Sequence, residues 1–180
     1  PRSTQSRSSA ASDVYKRQVN SGCEKEQLAL AELKTKLSIF DGKFDFNGII
    51  PMPKELEKGA MIGFDNCPSD YENSSMGCYV PKDRILRQRW RIDFGADNWY
   101  EWSYAHWGTK WNAYDVEIES NFDDELSLSF YSAWSPPIPI FAKMKEYCQE
   151  HNLNLSWDFY DEGEEYSVDL MDQDISKWGL

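Results

Sequence analysis

Hydrophobic and polar positions alternate with a period of two in four places in the second half of the chain. Tyr114, Val116 and Ile118 alternate with Asp115, Glu117 and Glu119, and Leu126, Leu128 and Phe130 with Ser127, Ser129 and Tyr131. Leu153, Leu155, Trp157 and Phe159 alternate with Asn154, Ser156, Asp158 and Tyr160; Tyr166, Val168 and Leu170 alternate with Ser167, Asp169 and Met171. Side chains of a strand point to opposite faces in turn, so this period predicts four strands with one buried and one more polar face. Asp161-Glu162-Gly163-Glu164 reads as the hairpin turn joining the last two. Between the second and third strands, Phe141, Met144 and Cys148 form a helical stripe, and Pro137 and Pro139 suit the helix entry. The first half opens with Leu30, Leu33 and Leu37 at helical spacing, which predicts a helix over 24–37 with Ser21 and Glu24 as a capping box. Phe44 to Phe46 and Ile49 to Pro53 read as extended chain, and Pro51 and Pro53 exclude a central strand there. Gly59, Gly63, Pro68, Gly77 and Pro81 make residues 57–81 a long loop, followed by helices over 82–93 and 97–107.

The order is helix, long insert over about 57–107, strand, strand, helix, strand, strand. One strand before Ser21 would complete a split β-α-β motif. The fold class is therefore α+β: a ferredoxin-like, mostly antiparallel sheet with a C-terminal hairpin. Where that first strand is needed, the chain changes character. Ser8-Ser9-Ala10-Ala11-Ser12-Asp13-Val14-Tyr15-Lys16-Arg17-Gln18 resembles a translated sequencing adapter, with Asp13 to Gln18 matching a transposase end. Such segments are set aside in fold reasoning. The resemblance implies a non-native segment over 1–18, a single domain over 19–180 with its first strand truncated, and a metagenomic origin. A sheet lacking its central strand leaves unpaired N–H and C=O groups on two neighbours. Recruitment of 13–20 into the gap is therefore expected.

Of 180 residues, 41% are hydrophobic and 15% aromatic, which excludes a disordered chain and suffices for one core. No apolar run approaches the length of a membrane span. The chain holds 19 basic and 31 acidic residues, a net charge of -12. Four of those basic residues and one acidic residue lie in 1–18, so 19–180 carries 15 against 30, or -15. That balance argues against binding a phosphate backbone. The polar sheet face is expected to carry Asp115, Glu117, Glu119, Asp158 and Asp169 without Lys or Arg. Tyr131 and Tyr160 could stack bases, but these carboxylates repel the backbone, so no direct nucleic-acid binding is expected on that face. Arg84, Arg87 and Arg91 share one helical face. They form either a solvated stripe paired with nearby acids or a docking helix for an acidic partner. The cysteines, Cys23, Cys67, Cys78 and Cys148, have no zinc-ligand spacing. A Cys67–Cys78 disulfide needs an oxidising compartment, and free thiols in a bacterial cytoplasm are the preferred reading. Of the two histidines, His106 sits in a Trp-rich stretch and reads as packed rather than as a general base. The acidic turn over 161–165 reads as solvated. No metal, cofactor or catalytic set is read from the chain.

Three blocks carry a resemblance. The first is Phe44-Asp45-Phe46-Asn47-Gly48-Ile49-Ile50-Pro51-Met52-Pro53-Lys54-Glu55-Leu56. The second comprises Asn98-Trp99-Tyr100-Glu101-Trp102 and Trp107-Gly108-Thr109-Lys110-Trp111-Asn112-Ala113, and the third is Ala133-Trp134-Ser135-Pro136-Pro137-Ile138-Pro139. Together, over about 21–171, they resemble the YubB-type ferredoxin-like domain of phage and plasmid proteins. The resemblance implies the fold and an origin in mobile elements; it supplies no activity and no catalytic residues.

Topology then predicts a site. In a hairpin of the first two strands, the start of one lies beside the end of the other. Trp107, Lys110, Trp111, Asn112, Trp134 and Ser135 should form one rim, with the Gly163 turn at the same end. The rim is either a buried Trp-rich plug, its indole N–H groups satisfied by Asn112 and Ser135, or a groove for a peptide or small ligand. Trp111 and Trp134 are expected in contact and largely buried. The leading functional expectation is a non-enzymatic interaction protein that binds a protein partner through its acidic surface or this rim. In one version its carboxylates mimic DNA. The alternative is a small-molecule binder or enzyme using Lys110, Asn112, His106 and the acidic turn.

Overall fold

A computed structural model describes residues 10–18, 23–60, 67–74, 78–161 and 167–169, and the side chains of 23–60, 67–74 and 78–159. The main sheet contains β1 (Ala10–Gln18), β4 (Tyr114–Phe122), β5 (Glu125–Tyr131), β6 (Asp158–Asp161) and β7 (Ser167–Asp169), in the order β4-β5-β1-β6-β7. Every neighbouring pair is antiparallel. With helix α1 (Glu24–Lys36) after β1 and α5 (Ile138–Glu150) after β5, this is the ferredoxin-like split β-α-β arrangement, extended by β7. The central slot is filled by the adapter-like segment, over Ala10–Gln18 rather than the expected 13–20. Its backbone pairs with β5 from Ala11↔Tyr131 to Gln18↔Glu125, and with β6 at Ala10↔Asp161 and Ala11↔Tyr160. Backbone pairing is tolerant of sequence, because each residue offers the same N–H and C=O groups.

Both long helices pack on one face of the sheet. The buried stripe of α1 (Ala29, Leu30, Leu33) and that of α5 (Ile138, Ile140, Phe141, Met144, Cys148) join Leu126, Leu128 and Phe130 of β5 in one core. Fully buried Trp157 sits among Phe44, Phe130 and Phe141 in edge-on contacts, with ring centroids 5.1 to 6.4 Å away. The Tyr147 hydroxyl of α5 donates to the Ala29 carbonyl of α1 at 3.0 Å. Buried Lys34 donates to the Phe122 carbonyl and, at 2.9 Å, to the Glu125 carbonyl, so one ammonium ties α1 to the β4–β5 turn. Helix α1 begins after Cys23 as its cap, which corrects the capping box expected from Ser21. Acidic Glu24 and Glu26 in the first turn and Lys34 and Lys36 in the last still match the helix dipole. Pro137 caps α5 and Pro139 lies in its first turn, as expected.

The insert is more structured than the expected loop. Helix α2 (Lys54–Ala60) follows Pro53, and β2 (Tyr71–Asn73) pairs with β3 (Tyr79–Pro81). Glycines and prolines spaced through 57–81 hid these short elements, whose stability comes from tertiary contact rather than propensity. The two expected helices are α3 (Arg84–Phe94) and α4 (Trp99–Trp107). Within the first block, Phe46–Gly48 is a 3-10 turn rather than extended chain. Leu153, Leu155 and Trp157 are buried as their alternation predicts, but ladder pairing begins only at Asp158. Glu162 to Glu165 of the acidic turn, Gly163 included, lie outside the described residues, as do Tyr166, Leu170 and Met171.

Two substitutions test this architecture. A Cβ on Gly48 would lie 1.8 Å from the Lys36 carbonyl oxygen. Gly48→Ala should therefore cost roughly 3 kcal/mol or more, read as a loss of denaturant midpoint. Lys16 pairs with Ser127 in the centre of the sheet. Lys16→Pro, a residue that does not fit the interior of a sheet, should lower the melting temperature, whereas Lys16→Thr should leave it unchanged. An unaltered melting temperature for the proline variant would remove β1 from the sheet.

Candidate functional site

The three sequence blocks meet at one end of the sheet, in two layers. The inner layer is a hydrogen-bonded knot. Asn112 Oδ1 accepts from the backbone N–H groups of Phe46 and Ala113, both at 2.9 Å, while its Nδ2 donates to Asp45 Oδ1 at 2.6 Å. Asp45 Oδ1 also accepts from Asn47 N at 2.9 Å, and Asn47 Oδ1 accepts from Met52 N at 2.9 Å. Buried Trp107 donates its Nε1–H to the Ile50 carbonyl at 2.8 Å. Thr109 Oγ1 donates to the Ala133 carbonyl at 2.7 Å and accepts from Ala133 N at 3.0 Å. Ser135 Oγ donates to the Gly108 carbonyl. Gly108, at φ +78°, closes α4 where a Cβ would meet Pro139 at 2.8 Å. Trp107, Asn112 and Ser135 therefore belong to the plug, although the acceptor for Trp107 is a backbone carbonyl and not Asn112 or Ser135.

The outer layer faces solvent. Trp111 is 43% exposed and Trp134 48%, which corrects the expectation that both are buried. They do share the rim, bridged by Lys110 rather than stacked on each other: its Nζ lies 4.6 Å from the Trp111 ring centroid and 4.4 Å from that of Trp134. Tyr100 stands edge-on to Trp134 at 6.1 Å, and Trp111 edge-on to Tyr114 at 6.5 Å. Tyr114 in turn stacks at 5.8 Å on exposed Tyr131, its register partner across β4 and β5. Lys110 is thus the single cation in a continuous aromatic run. The exposure has a backbone cause. Thr109 pins Ala133 inward, and Trp134 follows at φ +74°, which turns its indole outward. A bulky side chain in the left-handed region is strained by about 1–3 kcal/mol. Sequence reasoning missed Tyr100, Tyr114 and Tyr131 as rim members; the alternation of β4 and β5 held the signal, but it needed the register to be read.

The other candidates are also placed. Asp115, Glu117 and Glu119 are exposed and Asp158 is half-buried, while the side chains of Tyr160 and Asp169 lie outside the described residues. His106 stacks on Trp102 at 4.3 Å with its Nδ1 2.9 Å from the Trp102 carbonyl, a packed residue as expected. Cys67 and Cys78 are thiols rather than a disulfide, and burial pushes the Cys78 thiol up. No group of three metal-ligating side chains occurs among the described residues. No helix among them is long and apolar enough to cross a membrane. On α3, Arg87 Nε and Arg91 Nη2 each lie 3.0 Å from Asp97 Oδ2, and Arg87 also reaches Glu72 at 3.2 Å. Arg87 and Arg91 are thus both paired with nearby acids. Two concavities bordered by described residues lie away from the rim: one of about 430 Å³ beside Leu28, Phe40 and Phe122, the other of about 420 Å³ beside the arginines.

The Asp97 side chain is 2% exposed. Burial pushes its carboxyl up, but the Asn98 amide and the Arg87 and Arg91 charges outweigh this and hold it below the usual carboxylate range. A depressed folded-state value gives stability that is present above the unfolded value of 3.8 and lost as pH falls through the folded one. Asp97→Asn should lower the melting temperature at neutral pH. The gap to the unsubstituted protein should narrow as pH falls below about 4, measured by thermal denaturation across pH.

Comparison with known proteins agrees with the sheet topology. A family model described as a ferredoxin-like domain in Api92-like protein matches residues 110–174, from the rim through β4, β5, α5, β6 and β7. No curated protein and no solved structure gives a match. Over its C-terminal part the chain is thus similar to that ferredoxin-like family, and the matched region takes in Lys110, Trp111, Asn112, Trp134 and Ser135 of the rim but not Trp107.

Proposed function

We propose that this chain is a non-enzymatic interaction protein that engages a protein partner through the aromatic outer layer of the rim. One observation carries the reading: Trp134 keeps a strained backbone while leaving its indole half in water. Folding alone favours glycine at φ +74° and favours burial of indole surface, and this position does neither. Half-exposed Trp and Tyr beside a fixed cation are the side chains that dominate protein interfaces. The neighbouring exposed carboxylates Asp115, Glu117 and Glu119 favour a basic partner surface. Strand β4 is a sheet edge, but register shifts on both sides of Glu117 and Ile118, with Asp115 at φ +48°, break its ladder. Such bulges discourage strand addition, so the partner meets side chains. Packed His106 and the raised Cys78 thiol offer little to catalysis. An origin in a phage, plasmid or integrated element, a host protein as partner and a cytoplasmic setting in a bacterial host belong to the same proposal. They rest on the sequence resemblance, and mimicry of DNA is its most acidic version.

The experiment is a substitution pair read two ways. Trp134→Gly relieves the backbone strain and removes only a half-exposed ring, so stability should change by less than about 1 kcal/mol. Partner capture from lysate should be lost, and capture by the unsubstituted chain should weaken steeply as salt is raised. Trp107→Ala, within the plug, should instead cost about 3–5 kcal/mol. If Trp134→Gly captures the same proteins as the original chain, the rim is not the contact surface.

A further inference from the structure

We infer that the concavity on α3 is a binding site for a compact phosphate-type oxyanion. It is lined by Arg84, Arg87, Gln88, Arg91 and Asp97 and encloses about 420 Å³. Arg84, Arg87 and Arg91 lie three and four residues apart and so project from one side of the helix. The buried Asp97 carboxylate offsets one of these charges and aims two of the side chains. Its Oδ2 accepts Arg87 Nε at 3.0 Å and Arg91 Nε at 3.1 Å, while Asn98 Nδ2 holds Oδ1 at 2.9 Å. Arg91 is thereby fixed through Nε and Nη2, and Arg87 through Nε and, by Glu72, Nη1, which lowers the ordering cost of binding an anion with their remaining N–H groups. Counting Glu72 beside Arg87, three cations face two carboxylates, so one positive charge remains. Arg84 supplies it, and among the described residues no partner is found for its guanidinium. Gln88 adds a neutral amide at the same wall.

The charge of the chain selects the size of the ligand. At a net -12, a long polyanion would lay most of its phosphates against carboxylates. A single phosphate group concentrates its charge where three arginines border one concavity. Bidentate geometry suits phosphate oxygens to arginine.

The test titrates the full chain with inorganic phosphate, following arginine Nε–H signals by NMR at constant ionic strength, with chloride as the control. Saturable shifts of Arg84, Arg87 and Arg91 are expected, with none from chloride. Arg84→Gln, whose side chain holds nothing else in place, should keep the melting temperature and weaken binding at least tenfold. Unsaturable or chloride-matched shifts would overturn the site, as would equal affinity in the variant. Tighter binding of a Glu-rich peptide than of phosphate would also overturn it, reassigning the face, with exposed Ile85 and Ile92 alongside, to a protein segment.

Discussion

The Asn112 side chain is the tie on which the end of this domain depends. A primary amide has one acceptor and one donor end, and here both are used on a segment that arrives from 66 and 67 residues away in the chain. The acceptor end takes the Phe46 N–H and the adjacent Ala113 N–H, and the donor end takes Asp45. A carboxylate could make only the accepting half of that exchange, and a hydroxyl would have to make both halves from one atom. Because the knot fixes Phe44 to Met52 against the start of β4, it positions Phe44 and Phe46 in the core and brings the Ile50 carbonyl to the Trp107 indole N–H. The Thr109–Ala133 exchange does the same between the start of β4 and the end of β5.

With those two clamps closed, the outer layer has little freedom. Ala133 is held inward, so Trp134 is sent outward at a strained φ, and Lys110 finds itself between two indoles. The rigidity that makes the inner layer a plug thus makes the outer layer a preorganised surface. The inner layer is the plug that the sequence suggested, and the outer layer is a half-exposed aromatic surface above it. The same division of labour appears on α3, where a buried carboxylate that contributes to folding also orients arginines toward solvent.

The central strand follows another logic. The slot between β5 and β6 is defined by backbone groups, and extended chain over Ala10–Gln18 pairs with β5 from Ala11 to Gln18 and with β6 at Ala10 and Ala11 without regard to side-chain identity. That is why a segment whose composition belongs to no core can sit at the middle of the sheet. The Asn112 knot tolerates no such exchange, since its donors and acceptors are particular side chains.

Much of this fold was legible in the chain. Alternation located β4, β5, β6 and β7, and helical stripes located α1 and α5, because a periodic apolar pattern directly reports which side of an element leaves water. Element order then yielded the ferredoxin-like arrangement and placed Trp107, Lys110, Trp111, Asn112, Trp134 and Ser135 at one end. Short α2 and the β2–β3 pair escaped, because three to seven residues hold their shape only through neighbours. Burial within the rim escaped for a related reason. A tryptophan carries the same side chain whether it plugs a core or faces solvent, and composition favours the first. The choice was made by the hydroxyl of Thr109 on Ala133 and by the backbone φ of Trp134, both set by contacts between distant parts of the chain. The sequence by itself placed Trp107, Lys110, Trp111, Asn112, Trp134 and Ser135 at the rim; only the tertiary structure added Tyr100, Tyr114 and Tyr131 and decided which of these side chains remain in water.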